Sequence, residues 1–204
     1  MLSMSSGRMI AVLVVVSVLS SALPKSPVYS QTANGAAKPA QKSSFLRQGD
    51  SVGVFYVTKV AGAEDDGVLP GEQLCYRCRY GSSPIVMVFA RRTGGRVTEL
   101  VKRIDKAVFS NRQRRLKGLV TLMGDSTPAV KAAAGEVAAA AKVEHVPVVV
   151  AKEVKTGPLN YKLPADAEVT VVVAKNSQVV KTHTFTSEKV DIAAVMSEVE
   201  RILE

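Results

Sequence analysis

The chain has 204 residues, 27 of them Lys or Arg and 18 Asp or Glu, with two cysteines and no Trp. That length holds one ordinary domain with appendages, and an apolar fraction of 47% against 22% charged excludes wholesale disorder. Two cysteines exclude a cysteine-rich secreted scaffold, and 5% aromatic content speaks against extended base- or sugar-stacking surfaces.

Arg8 precedes the apolar run Met9 to Leu19, MIAVLVVVSVL. A basic start, an apolar core of this length and the small residues beyond it have the form of a secretory signal peptide. Val28-Tyr29-Ser30 places small or branched residues at the −3 and −1 positions for cleavage before Gln31. The run is shorter than the roughly 20 residues of a spanning helix. Export is therefore expected rather than retention by an anchor, giving a periplasmic or extracellular protein free of the membrane after cleavage. Removing residues 1–30 deletes Arg8 and Lys25, so the mature chain carries 25 basic and 18 acidic residues, a net +7. The surplus is spread along the chain except for Arg112, Arg114, Arg115 and Lys117. Those four stand at a predicted helix end, where cations suit the C-terminal dipole, and no nucleic-acid partner is expected.

Residues 31–48 (QTANGAAKPAQKSSFLRQ) have no period and read as a flexible linker, with one domain over 49–204. Ser51 to Val60 (SVGVFYVTKV) is rich in β-branched and aromatic residues and predicts a strand. Ala61 to Gly67, with Glu64-Asp65-Asp66 inside it, is a turn lacking the alternating ligands of a calcium loop. Pro84 to Ala90 (PIVMVFA) is apolar at both parities, as in a strand buried on both faces. Val97, Leu100, Val101, Ile104 and Val108 predict a helix over about Arg96 to Ser110. Leu116 to Met123 is the next strand. Ser126 or Thr127 then offers an N-cap, with Pro128 opening an Ala-rich helix to Lys142. His145 to Lys152 is a further buried strand, Gly157 to Asp166 a loop, and Glu168 to Ala174 a strand. Lys175 to Gln178 is a tight turn and Val179 to Phe185 the returning strand. A closing helix begins at Ser187-Glu188 and carries Val190, Ile192, Val195, Met196, Val199, Ile202 and Leu203. Strands joined by helices are parallel and the short turn forces an antiparallel pair, so the prediction is one α/β domain with a central mixed sheet.

This order resembles the thioredoxin-like fold. The leading strand and the extra strand around His145–Lys152 are most similar to its peroxiredoxin and redoxin branch. GVFYVTKVAG…GEQL resembles the opening of that branch and EVTVVVAKNSQVV its closing hairpin, while CYRCRYG with PIVMVFAR resembles secreted bacterial thioredoxin-domain proteins. The resemblance implies a reactive Cys just after the buried strand, at the start of the next helix. This sequence has Arg91-Arg92-Thr93-Gly94-Gly95-Arg96 there, with no Cys. It also implies a cis-proline just before the hairpin, near Val169, where none stands.

The distinctive motif is Cys75-Tyr76-Arg77-Cys78, upstream of the buried strand. A CxxC brings two sulfurs within bonding range and serves redox exchange, a disulfide brace, or half a metal site. Only His145 and His183 could complete a metal set, and neither has the spacing for it, so no metal and no cofactor is expected. Arg77 and Arg79 stand beside the sulfurs, and neighbouring cations favour the thiolate. The leading expectation is a thiol–disulfide oxidoreductase acting on a protein thiol or disulfide partner, with Cys75 attacking, by analogy with other CxxC proteins, and Cys78 resolving. The competing one is a non-catalytic module in which Cys75–Cys78 is a brace. Arg91, Arg92 and Arg96 around Gly94-Gly95 form a weaker candidate for an anion site.

Overall fold

Ile85–Ala90 (β3) is buried at every residue, and this one strand organises the rest of the fold. The chain is described here by a computed structural model covering residues 45–125 and 127–204. The expected signal peptide, the linker up to residue 44 and the candidate cap Ser126 lie outside the described residues. β3 pairs in parallel with β4 (Lys117–Leu122) and antiparallel with β6 (Val169–Lys175). β1 (Val57–Ala61), β2 (Gln73–Leu74), β5 (Val148–Ala151) and β7 (Gln178–Phe185) complete a sheet of order β2-β1-β5-β4-β3-β6-β7. The expected mixed sheet flanked by helices, with a closing hairpin and a C-terminal helix, is the observed architecture.

Side chains alternate across a strand, and each parity of β3 meets its own core. Val86, Val88 and Ala90 face the three long helices, α2 (Gly95–Ser110), α3 (Thr127–Ala141) and α4 (Ile192–Arg201). Ile85, Met87 and Phe89 face a second core holding Phe55, Tyr76 and Tyr161. Among the described residues no long helix covers this second face. It is closed by the chain before β1, by the five-residue helix α1 (Tyr76–Tyr80) and by a 3₁₀ turn at Leu159–Tyr161. Phe55, Phe89 and Tyr161 pack edge-on and tilted, with ring centroids 5.0–5.7 Å apart, the offset geometry that aromatic quadrupoles favour.

Two elements depart from the sequence expectation. The expected strand Ser51–Val60 is a strand only from Val57. Ser51 forms a single bridge to Gln178, and the chain then crosses from the β7 edge to β1. Two of its carbonyls are taken by side chains, Tyr161 Oη donating to Gly53 O and Asn160 Nδ2 to Val54 O, both at 3.0 Å, while Tyr56 O accepts the Lys152 N–H. The closing helix starts not at Ser187 but at Ile192, capped by Asp191, whose carboxylate accepts the Ala194 N–H. Ser187 serves elsewhere, its N–H and hydroxyl both donating to Glu168 Oε2 at 2.8 Å. α1 itself carries no apolar period and has no counterpart in the sequence reading.

Candidate functional site

Cys75 is extended (φ −108°, ψ 99°) and caps α1, its sulfur accepting the Cys78 N–H at 3.1 Å. One helical turn separates the two cysteines, whose Cα atoms lie 5.3 Å apart, and they are joined in a disulfide. Their surroundings differ. Cys75 is buried at 7% exposure, whereas Cys78 is exposed. The second cysteine of the motif is thus the solvent-facing one, and the first is the one held by a backbone donor.

α1 is too short to persist by propensity, so its place is set by tertiary bonds. Tyr76, between the cysteines, donates its hydroxyl to Asp66 Oδ2 at 2.6 Å. Asp66 Oδ1 accepts Lys59 Nζ at 2.7 Å and the Val68 N–H at 2.8 Å. Lys59 is 2% exposed and spends its other two donors on Ala63 O and Val68 O, each at 2.8 Å. A buried ammonium with three acceptors is tolerated where a bare one is not. Burial pushes the Asp66 carboxyl up, but the bonds from Lys59, Tyr76 and Val68 outweigh it and hold it below the ordinary carboxylate range. Gly62 makes the turn that delivers this loop: its φ is +75°, and a Cβ there would strike Val146 O.

Arg77 and Arg79 are also committed. Arg77 Nη1 donates to Gly81 O, closing α1, and its Nε is buried without a partner. Arg79 Nη2 donates to Asp66 O at 2.6 Å, a second tie between helix and loop. Tyr80 ends the helix over β4, with its hydroxyl 3.5 Å from Gly118 O and Lys117 Nζ 5.5 Å from its ring centroid.

Arg91, Arg92 and Arg96 sit at the other end of β3. Arg91 and Arg92 line a cleft of about 970 Å³ whose floor includes Leu122, Met123, Val130 and Leu163. The three guanidinium groups do not converge. Arg91 donates to Lys155 O at 2.6 Å and Thr156 O at 3.3 Å, Arg92 pairs with Glu168 at 3.2 Å, and Arg96 donates to Val190 O at 2.7 Å. Among the described residues, no group of three or more His, Cys, Asp and Glu is arranged to hold a metal. His145 stacks on Phe109 and His183 on Phe185.

Lys59 and Asp66 are the site residues that sequence reasoning missed. One signal was present: Lys59 shares the inward parity of Val57 in an apolar strand, and a lysine there needs a buried partner.

No protein-family model matches the chain, and no curated protein matches it in sequence. Solved structures do match in fold. Mycobacterium tuberculosis AhpC is 16% identical, with a TM-score of 0.57 over 78% of this chain and 99% of its own. A protein described as the thiol:disulfide interchange protein DsbE from Chlorobium tepidum is 14% identical, with a TM-score of 0.56 over 78% of this chain and 99% of its own. Plasmodium vivax 2-Cys peroxiredoxin is 15% identical, with a TM-score of 0.54 over 76% and 95%. The chain has the thioredoxin-like fold, in the form shared with redoxins and peroxiredoxins.

Proposed function

We propose that this is an exported thiol–disulfide oxidoreductase acting through Cys75 and Cys78, with residues 1–30 as its signal peptide and the thioredoxin-like domain as the working part. The observation that carries this reading is the asymmetry of the pair: Cys78 is exposed while Cys75 accepts a backbone N–H. An incoming thiolate reaches Cys78. Cys75 then leaves as a thiolate at a helix start, where an N–H donor and the helix dipole favour negative charge. In this reading Cys78 takes the partner-facing role in place of Cys75, supported by its exposure. The test is the reduction potential of the pair in glutathione buffers. A value near or above about −230 mV marks a pair used in exchange, and one below about −300 mV marks a brace and sinks the proposal.

A second reading, a non-catalytic module braced by Cys75–Cys78, is favoured by one observation. The loop Arg91–Gly95, where the resemblance implies a reactive thiol, carries none. The same measurement separates the two.

A further inference from the structure

The disulfide helix lies at the end of the sheet where Arg112, Arg114, Arg115 and Lys117 stand. β3 and β4 both begin at this edge (Ile85 opposite Lys117), and β6 ends there (Ile85 opposite Ala174). α1 precedes β3, so Cys78 lies at the same edge. Two contacts fasten it to its neighbours. Tyr80, two residues after Cys78, lies against Lys117, and Asn176 N donates to Ser82 O at 3.2 Å, which brings the Lys175–Asn176 turn beside the end of α1. The 3₁₀ turn Arg112–Arg114 leads into Lys117 with Arg112, Arg114 and Arg115 exposed. Arg79, next to Cys78, is exposed as well.

Carboxylates at this edge are partly committed. Asp66 is neutralised by Lys59, Asp105 is buried against three backbone N–H groups, and Glu72 accepts the Leu69 N–H. Exposed carboxylates there are Asp50, Glu64, Asp65, Glu72 and Glu144, set against the exposed cations Arg79, Arg112, Arg114 and Arg115 and the half-buried Lys117 and Lys175. The cleft at the opposite edge differs, since Arg91, Arg92 and Lys155 face Asp125, Asp166 and Glu168 in equal number.

From this placement we infer that the thiol partner of Cys78 is an acidic protein, its carboxylates meeting the rim formed by Arg79, Arg114, Lys117 and Lys175. The inference rests on the exchange reading and names the partner class for it. The step balances within the two molecules. A partner thiolate attacks Cys78 Sγ, and the Cys75–Cys78 bond breaks with its electron pair going to Cys75. The partner's second thiolate then attacks the partner sulfur of the mixed disulfide and releases Cys78. Two electrons pass from the partner dithiol to the protein, the partner closes its own disulfide, and its two thiol protons end on Cys75 and Cys78. Fields of one sign around a reacting group raise encounter rates about 10- to 1000-fold at low salt, and added salt removes the gain.

The experiment uses the oxidised mature protein and two dithiol peptides, alike except that one carries Glu and the other Lys around its cysteines. Each rate is normalised to the same peptide's rate with hydroxyethyl disulfide, which removes differences in intrinsic thiol reactivity. The expected result is a preference of at least about tenfold for the Glu peptide at low ionic strength, collapsing in 0.5 M NaCl, where the Debye length falls to about 4 Å. The double variant Arg114→Glu with Lys175→Glu is expected to abolish or invert it, and Lys117→Gln alone to reduce it should the double variant not fold. Equal, salt-independent rates for the two peptides overturn the inference while leaving the exchange reading intact. Oxidation of neither peptide overturns both.

Discussion

Tyr76 donates its hydroxyl to the Asp66 carboxylate at 2.6 Å, and this bond ties the residue between the two cysteines to a buried ion pair. The helix bearing the disulfide is therefore held from below by Lys59 and Asp66, groups ten or more residues away in sequence. Removing the hydroxyl in Tyr76→Phe deprives a charged acceptor of a donor, which costs about 2 kcal/mol. Urea unfolding of the reduced and oxidised proteins checks it. The loss is expected in both forms, because the bond does not depend on the disulfide.

Asp66 makes stability depend on pH at the acid end. Its carboxyl titrates lower in the fold than in the unfolded chain. The stabilisation is then present above the unfolded value, about 3.9, and is lost as pH falls through the lower folded value. Glu168, held down by the Ser187 N–H and hydroxyl, acts in the same direction. Unfolding free energies measured from pH 6 down to pH 2 should fall at the acid end. In Asp66→Asn they should start lower and fall less, and an unchanged acid slope in that variant would refute the assignment.

Three of the five tyrosines should be silent in an alkaline titration of the folded protein. Burial, then the Asp66 hydrogen bond, raises Tyr76; burial, then the Asp66 charge, raises Tyr80; burial raises Tyr161. A phenol raised in the fold contributes stability that is present below its unfolded value, about 10, and is lost as pH climbs toward the folded one. Absorbance at the phenolate band should show these three ionising only with unfolding.

Asp105 closes the entry to β5, its Oδ1 accepting the N–H groups of Glu144, His145 and Val146 at 3.2, 2.8 and 2.9 Å. Asp105→Ala strands three donors at a largely buried position, a loss of about 3 kcal/mol or more. Asp105→Asn keeps the oxygen and should recover part of it. Thermal unfolding of the two variants separates loss of the acceptor from loss of the charge.

The sulfurs should differ in reach. In Cys75→Ser the remaining Cys78 thiol is exposed and should be alkylated many-fold faster than the remaining Cys75 thiol of Cys78→Ser. Trapping of a mixed disulfide with glutathione should likewise favour Cys75→Ser. Equal alkylation rates in the two variants would remove the asymmetry on which the exchange reading stands.

Much of the architecture was legible because it rests on local pattern. A run apolar at both parities has to be a central strand, and Val97 to Val108 at helical spacing has to bury one face, so the order of strands and helices followed. The site was legible only in its covalent part. CxxC spacing announced two sulfurs, but nothing nearby marked Cys78 as the exposed one, since exposure depends on how α1 lies on the sheet. Arg91, Arg92 and Arg96 look like a cluster in sequence. Packing sends their guanidinium groups to Lys155 and Thr156, to Glu168 and to Val190.

By itself, then, the amino-acid order determined the mixed sheet, its parallel crossovers and closing hairpin, and the pairing distance of the cysteines, all consequences of periodicity and chain connectivity. Tertiary structure decided what those elements serve. It laid residues 51–56 across a sheet face by satisfying carbonyls with Asn160 and Tyr161. It hung the disulfide helix on Lys59 and Asp66, left Cys78 exposed and laid the end of that helix, Tyr80, against Lys117. Each of these depends on contacts between residues distant in the chain, where desolvation and hydrogen-bond geometry, rather than local propensity, select the arrangement.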